Sequence, residues 1–363
     1  MKHFALLGLV AMAATPVQAT TITDHFTSFY VLGDSLSDNQ NTAVMVGNLI
    51  AQQPNPASID LVPSPPQQQP GVSSNGFTWA KEFTDAFAAA GKETANLSFG
   101  AARAKDDGGG PPDLLAQISA DASFSTTFVL PTVSSGLVPI SGTAPKYADG
   151  KGGLLDPLRQ KGSNALVAIF IGGNDFLDAA ADLTFGAISQ QTLVDDTLGA
   201  VKTAIDGLIV QGIDDFVVMN LPNFAIIPQF AGPAQPFGLN LAAAAAQYNS
   251  ALDTYLDSLS GTARITTVDI FGALTDTDLL ASAGITDTST PCITVTTDSS
   301  RNCPGLLYFD TIHPTAAGHG LIADLTRAQI AQEYAQPVPL PAPALMLLTA
   351  LGGMLVARRR KTA

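Results

Sequence analysis

Apolar and polar positions along this chain fall into blocks that read as strands followed by helices. Residues 29–32 are short and apolar, with polar residues before them and Gly33 after them, the pattern of a buried strand. Residues 165–171 are apolar throughout, as expected of a strand covered on both faces. Further strands are predicted over 94–99, 216–221 and 265–270. Between and after them, 76–90, 193–211, 241–259 and about 315–334 carry apolar residues at helical spacing. No strand pair shows a hairpin turn signal, and no internal repeat is visible. Strict alternation of this kind predicts a parallel sheet with helices on both faces.

The chain has 363 residues, 46% of them hydrophobic, enough for a substantial core. A single domain over 20–336 is the expectation. Two stretches depart from the pattern. Residues 52–75, rich in Pro, Gln, Ser and Asn, are predicted to form a long surface loop near the site. Residues 123–153 lack a clear period and read as an insertion or lid, spanning about 121–160. The net charge of −14 argues against a nucleic-acid partner, which is held through clustered Lys and Arg.

Both ends read as address labels. Residues 1–19 hold Lys2, an apolar run and a small-x-small ending at Val17-Gln18-Ala19, a signal-peptide pattern. Near the other end, 344–357 is an apolar run closed by Arg358, Arg359, Arg360 and Lys361, a short transmembrane span at best. Together with Val338-Pro339-Leu340-Pro341-Ala342, this tail resembles the PEP-CTERM sorting signals of Gram-negative bacteria. That resemblance implies an exosortase-type processing enzyme as partner, transient retention in the inner membrane, and an extracellular or outer-envelope destination. Loss of both segments would take the net charge from −14 to −19.

In an exported chain the two cysteines, Cys292 and Cys303, are expected to form a disulfide. No second Cys or His pair has metal-ligand spacing. A calcium role for the acidic stretch 276–287 is weighed against a solvated acidic face, which is the preferred reading.

The candidate chemistry begins at Gly33-Asp34-Ser35-Leu36-Ser37-Asp38, just after the first strand. A serine there would sit at the carboxyl end of a strand and at a helix N-terminus, where free N–H groups favour an oxyanion. A nucleophilic serine needs a base, and the expected mature chain offers His25, His313 and His319. His25 precedes the first strand and His319 falls inside the last helix. His313 lies in Asp310-Thr311-Ile312-His313-Pro314, where Asp310 can hold its tautomer. Oxyanion donors are sought in the backbone of Ser35 and Gly100 and in the side-chain amide of Asn174, at the end of the strongest strand.

Read in order, Gly33–Asp38, Asn96-Leu97-Ser98-Phe99-Gly100-Ala101-Ala102, Gly172-Gly173-Asn174-Asp175 and Asp310-Thr311-Ile312-His313-Pro314-Thr315 resemble the four blocks of the GDSL, or SGNH, hydrolases. The likeness covers about 30–331. Asn75-Gly76-Phe77-Thr78-Trp79, Asn220-Leu221-Pro222 and Tyr248-Asn249 agree with it. The resemblance implies a flavodoxin-like three-layer α/β/α fold with a mainly parallel five-stranded sheet. It also implies ester hydrolysis without metal or cofactor, with Ser35 as nucleophile, His313 as base and then acid, and Asp310 as orienter. Ser35, Gly100 and Asn174 would form the oxyanion hole. Two departures stand out: Gln40 where many relatives have Gly, and Phe309 where Trp is frequent. The ester could be a lipid, a short acyl ester or an acylated polysaccharide. Alternatives are an acyltransferase using the same triad and a catalytically inert envelope or matrix protein.

Overall fold

A computed structural model describes residues 22–334 other than 107, 297 and 298. The signal-peptide and sorting-tail segments, 1–19 and 337–363, lie outside the described residues. In chain order the strands are β1 (Ser28–Gly33), β2 (Glu93–Asn96), β3 (Ser123–Thr132), β4 (Gly136–Pro145), β5 (Ala165–Phe170), β6 (Asp215–Met219) and β7 (Arg264–Val268).

Five of them form one sheet in the order β2-β1-β5-β6-β7. Every neighbouring pair is parallel. β1 and β5, buried at all six positions each, are its central strands, which is why both read as unbroken apolar runs. Their register pairs Ser28 with Ala165 and Gly33 with Phe170, so both chains leave the sheet side by side. Past Asn96 the chain keeps bonding to β1, Leu97 N–H to Val31 O and Phe99 N–H to Gly33 O.

From β1 the connection to β2 runs one way, while β5, β6 and β7 advance the other way. Right-handed crossovers therefore place their helices on opposite faces. The helices Trp79–Ala89 and Ala316–Glu333 pack together on one side, and Gly173–Thr184, Gln190–Val210 and Gln235–Ser258 pack together on the other. Phe29 of β1 meets Phe83 and Phe87 of the first group, with ring centroids 5.6 and 5.3 Å apart. The result is an α/β fold with the parallel five-stranded sheet the chain pattern predicts. Among the described residues no helix is long and apolar enough to cross a membrane.

Two expectations are corrected. The stretch 123–153 contains a long antiparallel hairpin, β3 with β4, paired from Ser123–Pro145 to Thr132–Gly136. A three-residue turn closes it, with Gly136 at φ 71°, so no two-residue turn signal exists to be found. One face of β4, with Ile140 and Ala144 buried, packs toward the helix Asn41–Ala51, and the other face is solvated. Residues 60–62 extend its edge, with Val62 N–H donating to Pro131 O. The second correction concerns Ser35, which does not open a helix. It lies in a single turn, and the next helix begins at Asn41.

Candidate active site

Gly33 ends β1 against Phe170, whose carbonyl would lie 2.6 Å from a Cβ at this position. The buried Gln117 brackets Gly33, accepting from its N–H and donating to its C=O, both at 2.8 Å. Asp34 then starts the turn. Its carbonyl accepts from Ser37 and Asp38 N–H, and its side chain from Leu36 N–H at 3.0 Å. The intervening Ser35 N–H makes no hydrogen bond among the described residues. Ser37 anchors the turn from below: its C=O accepts from Asn96 Nδ2 and Thr78 Oγ1, and its hydroxyl accepts from Trp79 Nε1. Gln40, the residue noted as replacing glycine, has φ 105°, so this position does demand the left-handed region.

The loop 309–315 carries the other half. Asp310 Oδ1 accepts from the N–H groups of Ile312 (2.8 Å) and His313 (2.7 Å). Its Oδ2 accepts from His313 Nδ1 at 2.8 Å, and His313 Nε2 stands 2.9 Å from Ser35 Oγ. With the Nδ1 proton held by the carboxylate, Nε2 is the acceptor for the serine hydroxyl. Burial pushes the Asp310 carboxyl up, but the hydrogen bond and charge of His313 with the two backbone N–H groups outweigh it. Its pKa lies below the ordinary value.

This loop is clamped from several sides. Ser74 Oγ donates to Pro314 O, and Asn75 Oδ1 accepts from Ala316 N–H, both at 2.8 Å. The expected loop 52–75 is thus tied at its end to the His313 segment. Cys292 and Cys303 form a disulfide, Cα atoms 5.6 Å apart, and Phe309 packs against it. Cys292 and Ile293 N–H donate to the carbonyls of Tyr308 and Phe309, next to Asp310.

The remaining histidines stand apart from this constellation. His25 lies before β1, its ring 5.9 Å from that of Tyr334 at the end of the last helix. His319 is fully buried, with no hydrogen-bond partner on either ring nitrogen. Burial first, and the nearby His313 second, depress its pKa to about 3.

On the opposite side of Ser35, Asn174 is the second residue of the helix following β5, and its Nδ2 donates to Ala102 O at 2.8 Å. Asp175 accepts from Ala104 and Lys105 N–H, pinning the same loop. Gly100 does not present its N–H to this space: it donates to Asp38 Oδ2 (2.9 Å) and Thr42 Oγ1 (2.6 Å). The neighbouring Ala101 is exposed, has φ 63°, and its N–H has no partner among the described residues. The backbone thus turns residue 101 outward and residue 100 inward.

Three supporting residues were not singled out from sequence. Asp38, buried, also caps the helix Asn41–Ala51 through Asn41 and Thr42 N–H. Asp38 and Asp175 sit inside the quoted blocks, so position was their signal. Gln117, in the short helix Leu114–Ile118 ahead of the aperiodic insertion, had none. Asp34 is likewise buried beside Ser35, and burial pushes its pKa up to about 7.

Ser35, Asn174 and His313 line one narrow cleft. Its remaining walls are almost wholly apolar, among them Leu177, Leu221, Phe224, Ile270, Leu274 and Ile312. Among the described residues no group of three or more His, Cys, Asp or Glu is placed to hold a metal ion. In the acidic stretch 276–287, Asp276 caps the helix Thr277–Ser282 and Asp287 accepts from Ser289 and Thr290 N–H.

Residues 29–326 match the family described as GDSL-like Lipase/Acylhydrolase. No curated protein sequence matches the chain. Among solved structures it is similar to an acetyl-xylooligosaccharide esterase from Geobacillus stearothermophilus, at 14% identity over 84% of this chain and 94% of that one, TM-score 0.41. It is also similar to an extracellular lipase from Streptomyces rimosus, at 14% identity over 84% and 99%, TM-score 0.39. A third is phospholipase A1 from Streptomyces albidoflavus, at 14% identity over 85% and 99%, TM-score 0.35.

Proposed function

Because this chain belongs to the GDSL-like lipase/acylhydrolase family, we propose that it is an exported carboxylic-ester hydrolase working through an acyl-enzyme on Ser35. The observation that carries this reading is the unbroken relay Asp310–His313–Ser35, with contacts of 2.8 and 2.9 Å.

Ser35 Oγ attacks the ester carbonyl carbon as His313 Nε2 takes its proton. Asp310, held as a carboxylate, balances the imidazolium. The carbonyl oxygen becomes an oxyanion, which needs donors already in place. Ser35 N–H and Asn174 Nδ2 serve, the latter with the hydrogen not given to Ala102. The third donor in this reading is the N–H of Ala101 in place of Gly100, since the Gly100 N–H is already committed to Asp38 and Thr42. His313 then protonates the departing alcohol. Water, deprotonated by the same imidazole, releases the acid and restores Ser35.

Export rests on the signal-peptide pattern of residues 1–19. The tail 337–363 is the proposed substrate of an exosortase-type enzyme and the proposed transient inner-membrane tether. N- and C-terminal mass determination on protein recovered from outside the cell tests both, and retention of either segment contradicts its assignment.

Turnover of p-nitrophenyl esters by the wild type, set beside Ser35→Ala, tests the reaction. The variant is expected to lose on the order of 10⁴–10⁶-fold in kcat. Comparable turnover by both proteins would refute the assignment.

A further inference from the structure

We infer that the outer edge of β3, over residues 125–129, pairs with the same edge of a second copy of this chain, antiparallel and centred on Thr127. Ser35 plays no part in this contact, so it stands apart from the catalytic reading.

The hairpin's own contacts fix which backbone groups face outward. In an antiparallel pair, opposed residues alternate between exchanging both bonds and turning them away from each other. Lys146 N–H donates to Ala122 O across the ribbon. Pro131 O and Ser141 O instead accept from outside it, from Val62 N–H and Gln53 Nε2. Even-numbered residues therefore hold the hairpin together, and odd-numbered residues point their N–H and C=O outward.

The two edges differ in what covers them. On β4 the outward positions include Pro139 and Pro145, which have no N–H, and Gln53 occupies Ser141 O. On β3, residues 60–62 cover the edge at 131–133. From 125 to 129 the outward backbone groups of Ser125, Thr127 and Val129 have no partner among the described residues. This stretch has no charge, no proline and no bulge, the usual guards of a solvent-exposed edge.

A second copy suits that edge for three reasons. A twofold axis at Thr127 pairs it with its own counterpart and Ser125 with Val129 of the second copy, for about six backbone hydrogen bonds. Residues 122–145 contain no charged side chain, so two chains of net charge −14 meet there with least repulsion. Both faces of the joined sheet also gain. On the solvated face, Ser125–Thr143 and Thr127–Ser141 hydroxyls are linked at 2.6 and 2.8 Å, a row that continues into the second copy through Thr127. On the inner face Phe128 is only half-buried, and this register brings it diagonally to Phe128 of the second copy.

Because 60–62 fills the edge farther on, the pairing ends near Val129. So short a contact falls below the size of permanent dimer interfaces, and the association is reversible.

Sedimentation equilibrium of the exported protein from about 1 to 100 µM tests it, because a dimer of this kind forms by mass action. The average mass is expected to rise from one protomer toward two. Thr127→Pro, which removes the central outward donor, is expected to hold it at one protomer with p-nitrophenyl ester turnover unchanged. Val129→Lys, a charge on the edge, does the same if the proline variant does not fold. Both native cysteines are already bridged, so introduced thiols report cleanly. Thr127→Cys, on the axis, is expected to form an intermolecular disulfide under mild oxidation, its Cα atoms about 5.5 Å apart. Ser141→Cys, one strand farther from the axis, is expected not to. A wild type that keeps the mass of one protomer throughout overturns the inference. So does a dimer that survives both edge variants, or a Thr127→Cys protein that fails to bridge.

Discussion

His313 Nε2 stands 2.9 Å from Ser35 Oγ, although 278 positions separate the two residues in the chain. The contact is held from both ends. Ser37 fastens the serine turn to Trp79, Thr78 and Asn96, while Ser74, Asn75 and the disulfide fasten the histidine loop.

Asp310 sets the tautomer of that histidine. Asp310→Asn keeps the size of the side chain but lets its amide donate to Nδ1, which moves the imidazole proton to Nε2. On the serine-triad precedent kcat should fall by about 10⁴. Steady-state kinetics on a soluble ester, with the fold checked by circular dichroism, measures it. A loss below tenfold would remove Asp310 from the relay.

Asn174→Ala removes one oxyanion donor and should cost about 10²–10³ in kcat, less than Ser35→Ala. The two candidate backbone donors are separable by amide-to-ester replacement. At position 101 it should lower kcat by a similar order, whereas at position 100 it removes bonds to Asp38 and Thr42. The loss at 100 should therefore be read chiefly in stability. The reverse pattern would restore the role expected of Gly100 from sequence.

His319 makes the fold sensitive to acid. Its pKa is depressed to about 3 in the folded state, against about 6.5 for an unperturbed histidine. Above about pH 6.5 it is neutral in both states and the stability is fully present. As pH falls from 6.5 toward 3, the unfolded chain takes up a proton that the folded one refuses. The loss at the acid end is on the order of 5 kcal/mol. His319→Leu, which buries no unpaired ring nitrogen, should flatten the melting temperature against pH over this window. Parallel curves for the two proteins would rule the mechanism out.

The Cys292–Cys303 bridge closes a loop of sequence separation 11 beside the segment that leads to Asp310. Chain entropy predicts that Cys292→Ala with Cys303→Ala destabilises by about 3 kcal/mol. Because Tyr308 and Phe309 accept hydrogen bonds from that loop, kcat should fall as well. Chemical denaturation and turnover on the same samples report both, and unchanged kcat would confine the bridge to stability.

What was legible beforehand depended on burial. β1 and β5 are covered on both faces, so 29–32 and 165–170 read as apolar runs, and their ends located Ser35 and Asn174. The last helix was readable because Thr315 caps it directly after His313-Pro314. The hairpin β3–β4 was not: it is half solvated, contains prolines and closes through a three-residue turn, so neither period nor turn marked it. The direction of a single amide is a still finer matter. That the Gly100 N–H is committed to Asp38 and Thr42 could not be read beforehand, because the three residues meet only once the chain has folded. Likewise the bracket from Gln117 to Gly33 joins positions 84 apart with no local pattern behind it.

The central claim is that Ser35 is a nucleophile made reactive by His313, and covalent capture tests it most directly. Wild type, Ser35→Ala and His313→Ala are incubated with a fluorophosphonate, digested and mapped by mass spectrometry. One phosphonyl group on Ser35 in the wild type, none in Ser35→Ala and strongly slowed labelling in His313→Ala is the predicted result. An unlabelled wild type, or labelling of Ser35 at equal rate without His313, would contradict the account.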